Sequence, residues 1–89
     1  MFDPSASPEY KRIPNRTVRA LNRYGKNGIV PGGFLTAVLK NDLFSAVGRA
    51  DSENQKALVY ICRYIYNELP HDCWGNENRV TSWIKRCNH

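Results

Sequence analysis

Residues 51–70 have the sequence DSENQKALVYICRYIYNELP, and this stretch decides the fold. Asp51 and Ser52 form a strong helix N-cap signal, and Pro70 cannot continue a helix. Between them, apolar side chains recur at the spacing of a helix face. The stretch therefore predicts the longest helix of the chain, over about 52–68. We expect its core-facing stripe to be Leu58, Ile61, Cys62, Ile65 and Leu69.

A basic helix is predicted before this stretch. Pro14 suits the first turn of a helix, and Asn15 is a candidate cap. Apolar residues provide one face and arginines occupy the other, and the run Gly25–Gly28 carries the signals that end a helix. Residues 1–13 contain two prolines, two serines and no apolar period, so we expect an extended N-terminal arm.

Three further segments complete the helical pattern. Helical spacing resumes at Phe34, after a hinge, and Asp42 is placed to cap one or two further turns that Gly48 closes. Asn76 is placed to cap a last helix over about 77–87. We expect the inward residues of that helix to be Val80, Trp83, Ile84 and Cys87. No stretch alternates for long enough to predict a strand.

The chain has 89 residues and a mass of 10.2 kDa, the size of one small domain. The predicted fold is all-α, with four to five short helices. An extended arm over 1–13 precedes a single helical domain over 14–89. Because small scaffolds often need staples or oligomerisation, and no disulfide or clear metal site is available, we expect an oligomer in which the arm reaches a neighbouring subunit.

The charge is concentrated at the two ends of the chain. The net charge is +5, and residues 1–30 hold six cations against two acids. A basic end attracts anions, usually phosphates, although a charge of this size is also ordinary for solubility. No apolar run is long enough to span a membrane, and no secretory signal is visible. Three cysteines are few and odd in number, which favours free thiols in a reducing cytosol.

No pattern of residues points to catalysis, a metal or a cofactor. His71 and Cys73 lie two residues apart, which is not the signature of a catalytic dyad. With Cys87 and His89 they form two pairs, but these spacings do not match those of zinc sites. We therefore expect no enzyme, no metal site and no cofactor, and interpret the two cysteines as small buried apolar residues.

The long helix carries a second stripe, formed by Lys56, Tyr60, Arg63 and Asn67. These residues fall on one face and combine phosphate-binding cations, a ring that can stack on a base and an amide that can recognise a base edge. Tyrosine and arginine are also enriched at protein interfaces. The stripe therefore predicts either a nucleotide-binding surface or an interface, and the two are compatible if ligands lie between subunits.

Aromatic and basic residues also lie side by side near the N-terminus. Tyr10 precedes Lys11 and Arg12, and Tyr24 and Lys26 repeat the pairing at the end of the first helix. A ring beside a cation on a mobile element can close over a base and its phosphate, although each residue taken singly also fits a surface position. The glycines before Phe34 could hold a phosphate, but a simple hinge accounts for them better.

The motifs of the chain resemble those of a family of small phage and prophage proteins, the anti-CBASS cyclic-oligonucleotide sponges. The resemblance covers most of the stretch from Ile13 to Trp83. The matching motifs are Ile13-Pro14 with Arg16-Thr17, Pro31-Gly32-Gly33-Phe34-Leu35-Thr36-Ala37-Val38-Leu39, Asn41-Asp42-Leu43, Gly48-Arg49-Ala50-Asp51, Tyr66-Asn67-Glu68-Leu69-Pro70 and Cys73-Trp74-Gly75. The motifs are specific in combination, and none of them has a catalytic meaning.

The resemblance implies an α-helical homohexamer in the cytoplasm of the bacterial host. Such a protein hydrolyses nothing. It sequesters the cyclic di- and trinucleotides of CBASS immunity, such as 3′,3′-cGAMP-like dinucleotides and cyclic triadenylate-like trinucleotides, so that the effector stays inactive. No membrane and no duplex nucleic acid are expected as partners.

The resemblance also implies two kinds of site. A tyrosine of the arm and a lysine after the first helix contact cyclic dinucleotides between subunits, and Tyr10 and Lys26 are the candidates here. Where the resemblance implies a small side chain that contacts the same ligand, this chain has Asn27 or Gly28. Trinucleotides bind where subunits meet in threes, through an arginine that corresponds to Arg63, with Asn67 one turn later. The ligand-binding residues expected on all grounds are Tyr10, Lys11, Lys26, Gly28, Tyr60, Arg63 and Asn67.

A second function remains open from the sequence. The basic first helix, with Arg16, Arg19 and Arg23, could contact a phosphate backbone, which makes the chain a small basic phage protein that binds nucleic acid or inhibits a host protein. The helix lacks a run of asparagines and glutamines that would recognise bases. Binding to DNA or RNA that weakens steeply with salt would favour this alternative.

Overall fold

The computed structural model describes residues 8–88, and all five α-helices in this range were predicted. They are α1 (Asn15–Asn27), α2 (Gly33–Leu39), α3 (Leu43–Arg49), α4 (Ser52–Glu68) and α5 (Glu77–Cys87), with short 3₁₀ helices at Pro8–Arg12 and His71–Cys73. Over residues 8–88 the secondary structure contains no strand, which confirms the all-α class. No helix in this range has the length and apolar character needed to cross a membrane.

Local capping signals set the ends of these helices. The side chains of Asp42, Asp51 and Asn76 each accept a hydrogen bond from the backbone N–H three residues later, as N-cap residues do. Gly28 ends α1 in the left-handed conformation, with φ of 68°. One cap prediction was wrong: Pro14 occupies the N-cap of α1, no side chain caps it, and Asn15 is the first helical residue.

The core is built from side chains of all five α-helices and of both 3₁₀ helices. Its largest fully buried side chains are Tyr24, Tyr64, Leu21, Leu39, Ile61 and Cys73. The hydroxyl of Tyr24 donates to the carbonyl of Cys73 at 2.7 Å. From α5, the indole N–H of Trp83 donates to the carbonyl of Tyr24 at 2.9 Å. These bonds fix the second 3₁₀ helix and α5 against the end of α1.

The core-facing stripe of α4 differs from the prediction. Cys62 is exposed and Leu58 only half-buried, whereas Asn54, Ala57 and Tyr64 are buried. The face turned to α1 includes two polar groups because both have partners there: Asn54 accepts from Thr17 Oγ1 at 2.9 Å, and the hydroxyl of Tyr64 donates to Asn22. The pattern of apolar residues alone could not reveal these partners. The expected inward residues Ile61, Ile65 and Leu69 are buried.

The predicted extended arm is wrong for the part that the structure describes. Pro8–Arg12 forms a 3₁₀ helix, and Tyr10 and Ile13 are each only 3% exposed. Because a 3₁₀ helix has three residues per turn, these two side chains lie on one side and both enter the core. The arm expected over residues 1–7 lies outside the described residues.

Candidate functional site

The N-terminal 3₁₀ helix packs on α4 and joins two of the predicted site residues. The ring of Tyr10 meets that of Tyr64 edge-on, with centroids 5.0 Å apart, and the side-chain amide of Asn67 donates to the Tyr10 hydroxyl at 3.1 Å. Since Tyr10 is 3% exposed, its ring is part of the core. In the single chain the ring is therefore held in the core by its packing against α4 and is not exposed as a clamp, and the ligand contact expected of Tyr10 stays a prediction.

A groove with three cations lies where the same 3₁₀ helix meets the start of α4. Its volume is about 290 Å³, and it is lined by Lys11, Arg12, Ile13, Pro14, Glu53 and Lys56. We call it the cationic groove. The guanidinium carbon of Arg12 lies 5.4 Å from the centroid of the Tyr60 ring, a cation–π distance. The structure thus places Lys11 and Tyr60, both predicted site residues, beside Arg12 and Lys56.

Neighbouring ion pairs engage the acidic residues at this end of the molecule. Arg16 contacts Asp51 at 2.8 Å and Glu53 at 3.6 Å, and these acids hold the pKa of Arg16 above its usual value. The backbone N–H of Asn54, followed by Arg16, holds the pKa of Asp51 below its usual value. Among the described residues that line the cationic groove, Glu53 is the one acid, and it also pairs with Arg16. These lining residues therefore carry an excess of positive charge.

Arg63 lies one turn after Tyr60 on the same face of α4 and borders a second groove. This open groove has a volume of about 450 Å³, and its lining residues are Leu43, Leu58, Val59, Cys62, Arg63, Tyr66 and Asn67. We call it the apolar groove, since most of these side chains are apolar. Asn67 borders this groove as well, while its side-chain amide reaches Tyr10. Arg63 and Asn67, which the resemblance paired, thus line one groove.

Lys26 and Gly28 lie at the end of α1. Lys26 is exposed and Gly28 is buried. The backbone N–H of Gly28 donates to the carbonyl of Tyr24 at 2.9 Å, and a Cβ at this position would overlap that of Cys87. Helix termination and close packing against α5 thus account for this glycine. The structure does not bring these two residues into the cationic groove of their own chain.

Arg12 and Lys56 both line the cationic groove. Lys56 was expected on the stripe of α4 as a phosphate-binding cation, whereas Arg12 was expected beside the ring of Tyr10 and lies over Tyr60 instead. No apolar period in residues 1–13 indicated this position. In the 3₁₀ helix Tyr10 and Arg12 cannot share a face, so the burial of Tyr10 leaves Arg12 outside.

Other candidate sites from the sequence have structural explanations. Arg49 packs against Gly33 at the start of α2, and a Cβ on residue 33 would meet the guanidinium of Arg49. The close approach of this arginine therefore favours a glycine here, in addition to the predicted hinge. Cys73 is buried, and burial raises its thiol pKa to about 12. Residues 8–88 contain no group of three or more metal-binding side chains. His89, which follows Cys87 by two residues in the sequence, lies outside the described residues.

The chain was also compared with known proteins. No family model, no curated protein and no solved structure matches it. What the chain binds is therefore inferred from its own residues and from the resemblance of its motifs.

Proposed function

We propose that this chain is an immune-evasion protein that binds cyclic di- and trinucleotides and sequesters them without hydrolysis. The ligands are 3′,3′-cGAMP-like dinucleotides and cyclic triadenylate-like trinucleotides, bound by a homohexamer in the cytoplasm of a bacterial host. The observation that carries the proposal is the cationic groove, which Lys11, Arg12 and Lys56 line, with Arg12 also lying over the ring of Tyr60.

The chemistry of this groove suits a cyclic nucleotide. Each phosphate of the ligand is an anion, and lysine and arginine are the side chains that bind phosphate most often. The guanidinium plane of Arg12, supported by the Tyr60 ring, offers a flat surface on which a base can stack. The groove is open and shallow on one chain, so a second subunit would have to enclose the ligand. Lys26 and Gly28, which lie elsewhere on the protomer, would then belong to the site of a neighbouring subunit.

The trinucleotide site of the proposal lies further along the same face of α4. Arg63 and Asn67 border the apolar groove there, so the arginine can contact phosphate and the amide can contact a base edge. The two kinds of ligand are therefore assigned to two different grooves along one helix.

The first experiment is calorimetric titration of the protein with a cyclic dinucleotide and a cyclic trinucleotide. We expect nanomolar dissociation constants, equivalent to about −12 kcal/mol, and full recovery of intact ligand after heat denaturation of the protein. Absence of binding to both ligands, or recovery of a linear product, would contradict the proposal.

Substitutions can separate the two sites. We expect Lys11→Ala combined with Lys56→Ala to weaken dinucleotide binding by at least about tenfold, since each charge-assisted hydrogen bond is worth about 1.5–3 kcal/mol. Lys85→Ala, which removes an exposed lysine from α5, is the matched control and should have no effect. Retention of full dinucleotide affinity by the double variant would assign the ligand elsewhere.

The resemblance predicts a reciprocal pair of variants. Arg63→Ala should lose trinucleotide binding and keep dinucleotide binding, and Lys26→Ala should do the reverse. Loss of both ligands in either variant, with its oligomer intact, would show that the two sites are not separate.

One observation favours a second function. α1 exposes Arg19, Arg23 and Lys26, a row of cations that could follow a phosphate backbone in a nucleic acid, or dock on an acidic host protein. Retention of short duplex DNA in a gel at moderate salt, lost in an Arg19→Ala, Arg23→Ala variant, would favour nucleic-acid binding over the sponge. We expect no retention.

A further inference from the structure

α3 presents most of its apolar side chains to solvent. Of its seven residues only Ala46 is buried, while Leu43, Phe44 and Val47 are 57%, 88% and 44% exposed. The sequence places these residues at helical spacing, as in a helix that packs on a core. Within residues 8–88, however, these three side chains remain largely exposed.

The exposed side of α4 continues this surface. Val59 and Tyr66 are 63% and 62% exposed, and both line the apolar groove together with Leu43. We call Leu43, Phe44, Val47, Val59 and Tyr66 the α3–α4 face. Phe44 projects from this face. The apolar groove is an indentation in the same face, and Leu43, which precedes Phe44 in the sequence, borders the groove.

The size of the face approaches that of a stable subunit contact. Large apolar side chains carry on the order of 150–250 Å² of surface each, so the exposed fractions amount to roughly 600 Å² per chain. That is at the upper limit of the largest patch on an ordinary monomer, about 300–600 Å². Two copies packed face to face would bury about 1,200 Å², the lower end of the range for specific interfaces.

We infer that the α3–α4 face binds a second copy of this chain, with Phe44 of each copy inserted into the apolar groove of the other. The face contains both a projecting ring and a groove. A two-fold axis lets the ring of each copy enter the groove of the other at the same time, which is the geometry of an isologous interface. Of the described residues that line the groove, Arg63 is the one that carries a charge, and interface centres are depleted in charge. Two chains of net charge +5 can therefore associate here with few charges in the contact.

The inference rests on the oligomer of the proposed function, and it specifies which surface forms it. It also brings Arg63 and Tyr66 to the edge of a contact between subunits. A ligand at this edge would touch both chains.

The test is sedimentation velocity of the ligand-free protein over a range of concentrations, for the wild type, Phe44→Glu and Val30→Ser. Phe44 is 88% exposed, so its replacement should leave the circular dichroism spectrum and the urea midpoint of the monomeric fold unchanged. Val30, 55% exposed and outside the face, is the matched control. We expect the wild type and Val30→Ser to sediment well above 10.2 kDa, and Phe44→Glu to associate at least tenfold more weakly.

A second readout follows Cys62, which is exposed in the single chain and lines the apolar groove. Its alkylation, followed by peptide mass spectrometry, should be several-fold slower in the wild type than in Phe44→Glu, because the ring of the second copy covers it. Equal alkylation rates, or unchanged association of Phe44→Glu, would overturn the inference while leaving nucleotide binding to be judged by calorimetry. A monomeric wild type would overturn both the inference and the proposed hexamer.

Discussion

At the scale of single residues, Gly28 has a structural role that differs from the ligand-binding role expected of it. The resemblance assigns this position to a ligand contact. In the structure Gly28 has a φ of 68°, which side chains rarely adopt, and it lies against Cys87. Both constraints belong to the fold of the single chain, because they concern how α1 ends and how closely α5 approaches it.

We therefore expect Gly28→Ala to destabilise the protein by more than about 1 kcal/mol in urea denaturation, since both the backbone angle and the packing oppose a Cβ. Gly32→Ala is the control, because Gly32 has ordinary backbone angles and open space around it. Its stability should stay within about 1 kcal/mol of the wild type. If Gly28→Ala were as stable as Gly32→Ala, the role in helix termination would be refuted.

Asp51 links the charge of one residue to the stability of the fold. Its pKa is lowered in the folded state, first by the backbone N–H of Asn54 and then by Arg16. A lowered pKa means that the folded state favours the charged carboxylate. The stabilisation is therefore fully present above the unfolded pKa of about 3.9 and is lost as the pH falls through the folded value.

We expect Asp51→Asn to keep the cap of α4, because asparagine caps as well as aspartate, but to lose the ion pair with Arg16. Its urea midpoint should be lower than that of the wild type at neutral pH. The difference should shrink as the pH falls below about 4 and vanish below the lowered pKa of Asp51. Asp51→Ala should lower the midpoint at both pH values, because it also removes the cap. A wild-type advantage over Asp51→Asn that persisted in acid would contradict this account.

At the scale of elements, buried polar contacts join α1 to α4. Thr17 and Asn54 are 4% and 8% exposed, and the threonine hydroxyl donates to the asparagine side-chain oxygen at 2.9 Å. Removal of one partner leaves a buried polar group without its hydrogen bond, which costs more than the bond itself contributes. This pair also helps to fix which face of α4 is turned inward.

We expect Thr17→Val to lower the free energy of unfolding by about 1–3 kcal/mol. The double variant Thr17→Val, Asn54→Leu should be less destabilised than the sum of the two single variants, because no polar group is then left unpartnered. Urea denaturation of the four proteins measures this coupling. Additive effects would show that the hydrogen bond between Thr17 and Asn54 does not couple the two helices.

At the scale of the whole molecule, the distribution of surfaces connects stability with association. One side carries the cationic groove, another carries the α3–α4 face, and the helices between them hold a core that a chain of 89 residues keeps small. If association stabilises the folded state, the melting temperature depends on protein concentration. We expect Tm to rise by several degrees over a hundredfold increase in concentration for the wild type and to stay constant for Phe44→Glu, measured by scanning calorimetry.

The helix boundaries could be predicted from the sequence because their causes are local. Asp42, Asp51 and Asn76 cap helices through their own side chains, and Gly28 stops α1 through its own backbone freedom. Such signals act over three or four residues, so neither the rest of the fold nor a partner is needed to interpret them.

The face of each helix that is buried depended on contacts between distant residues. Tyr64 enters the core because Asn22 accepts its hydroxyl, and Tyr10 does so because Asn67 lies 57 residues away in the chain but within hydrogen-bond distance. Only the tertiary structure could therefore place Arg12 over Tyr60, expose Cys62 and leave Phe44 in solvent. A side chain is buried when the fold brings a suitable contact partner to it. The spacing of apolar residues in the sequence does not show which distant residue that partner is.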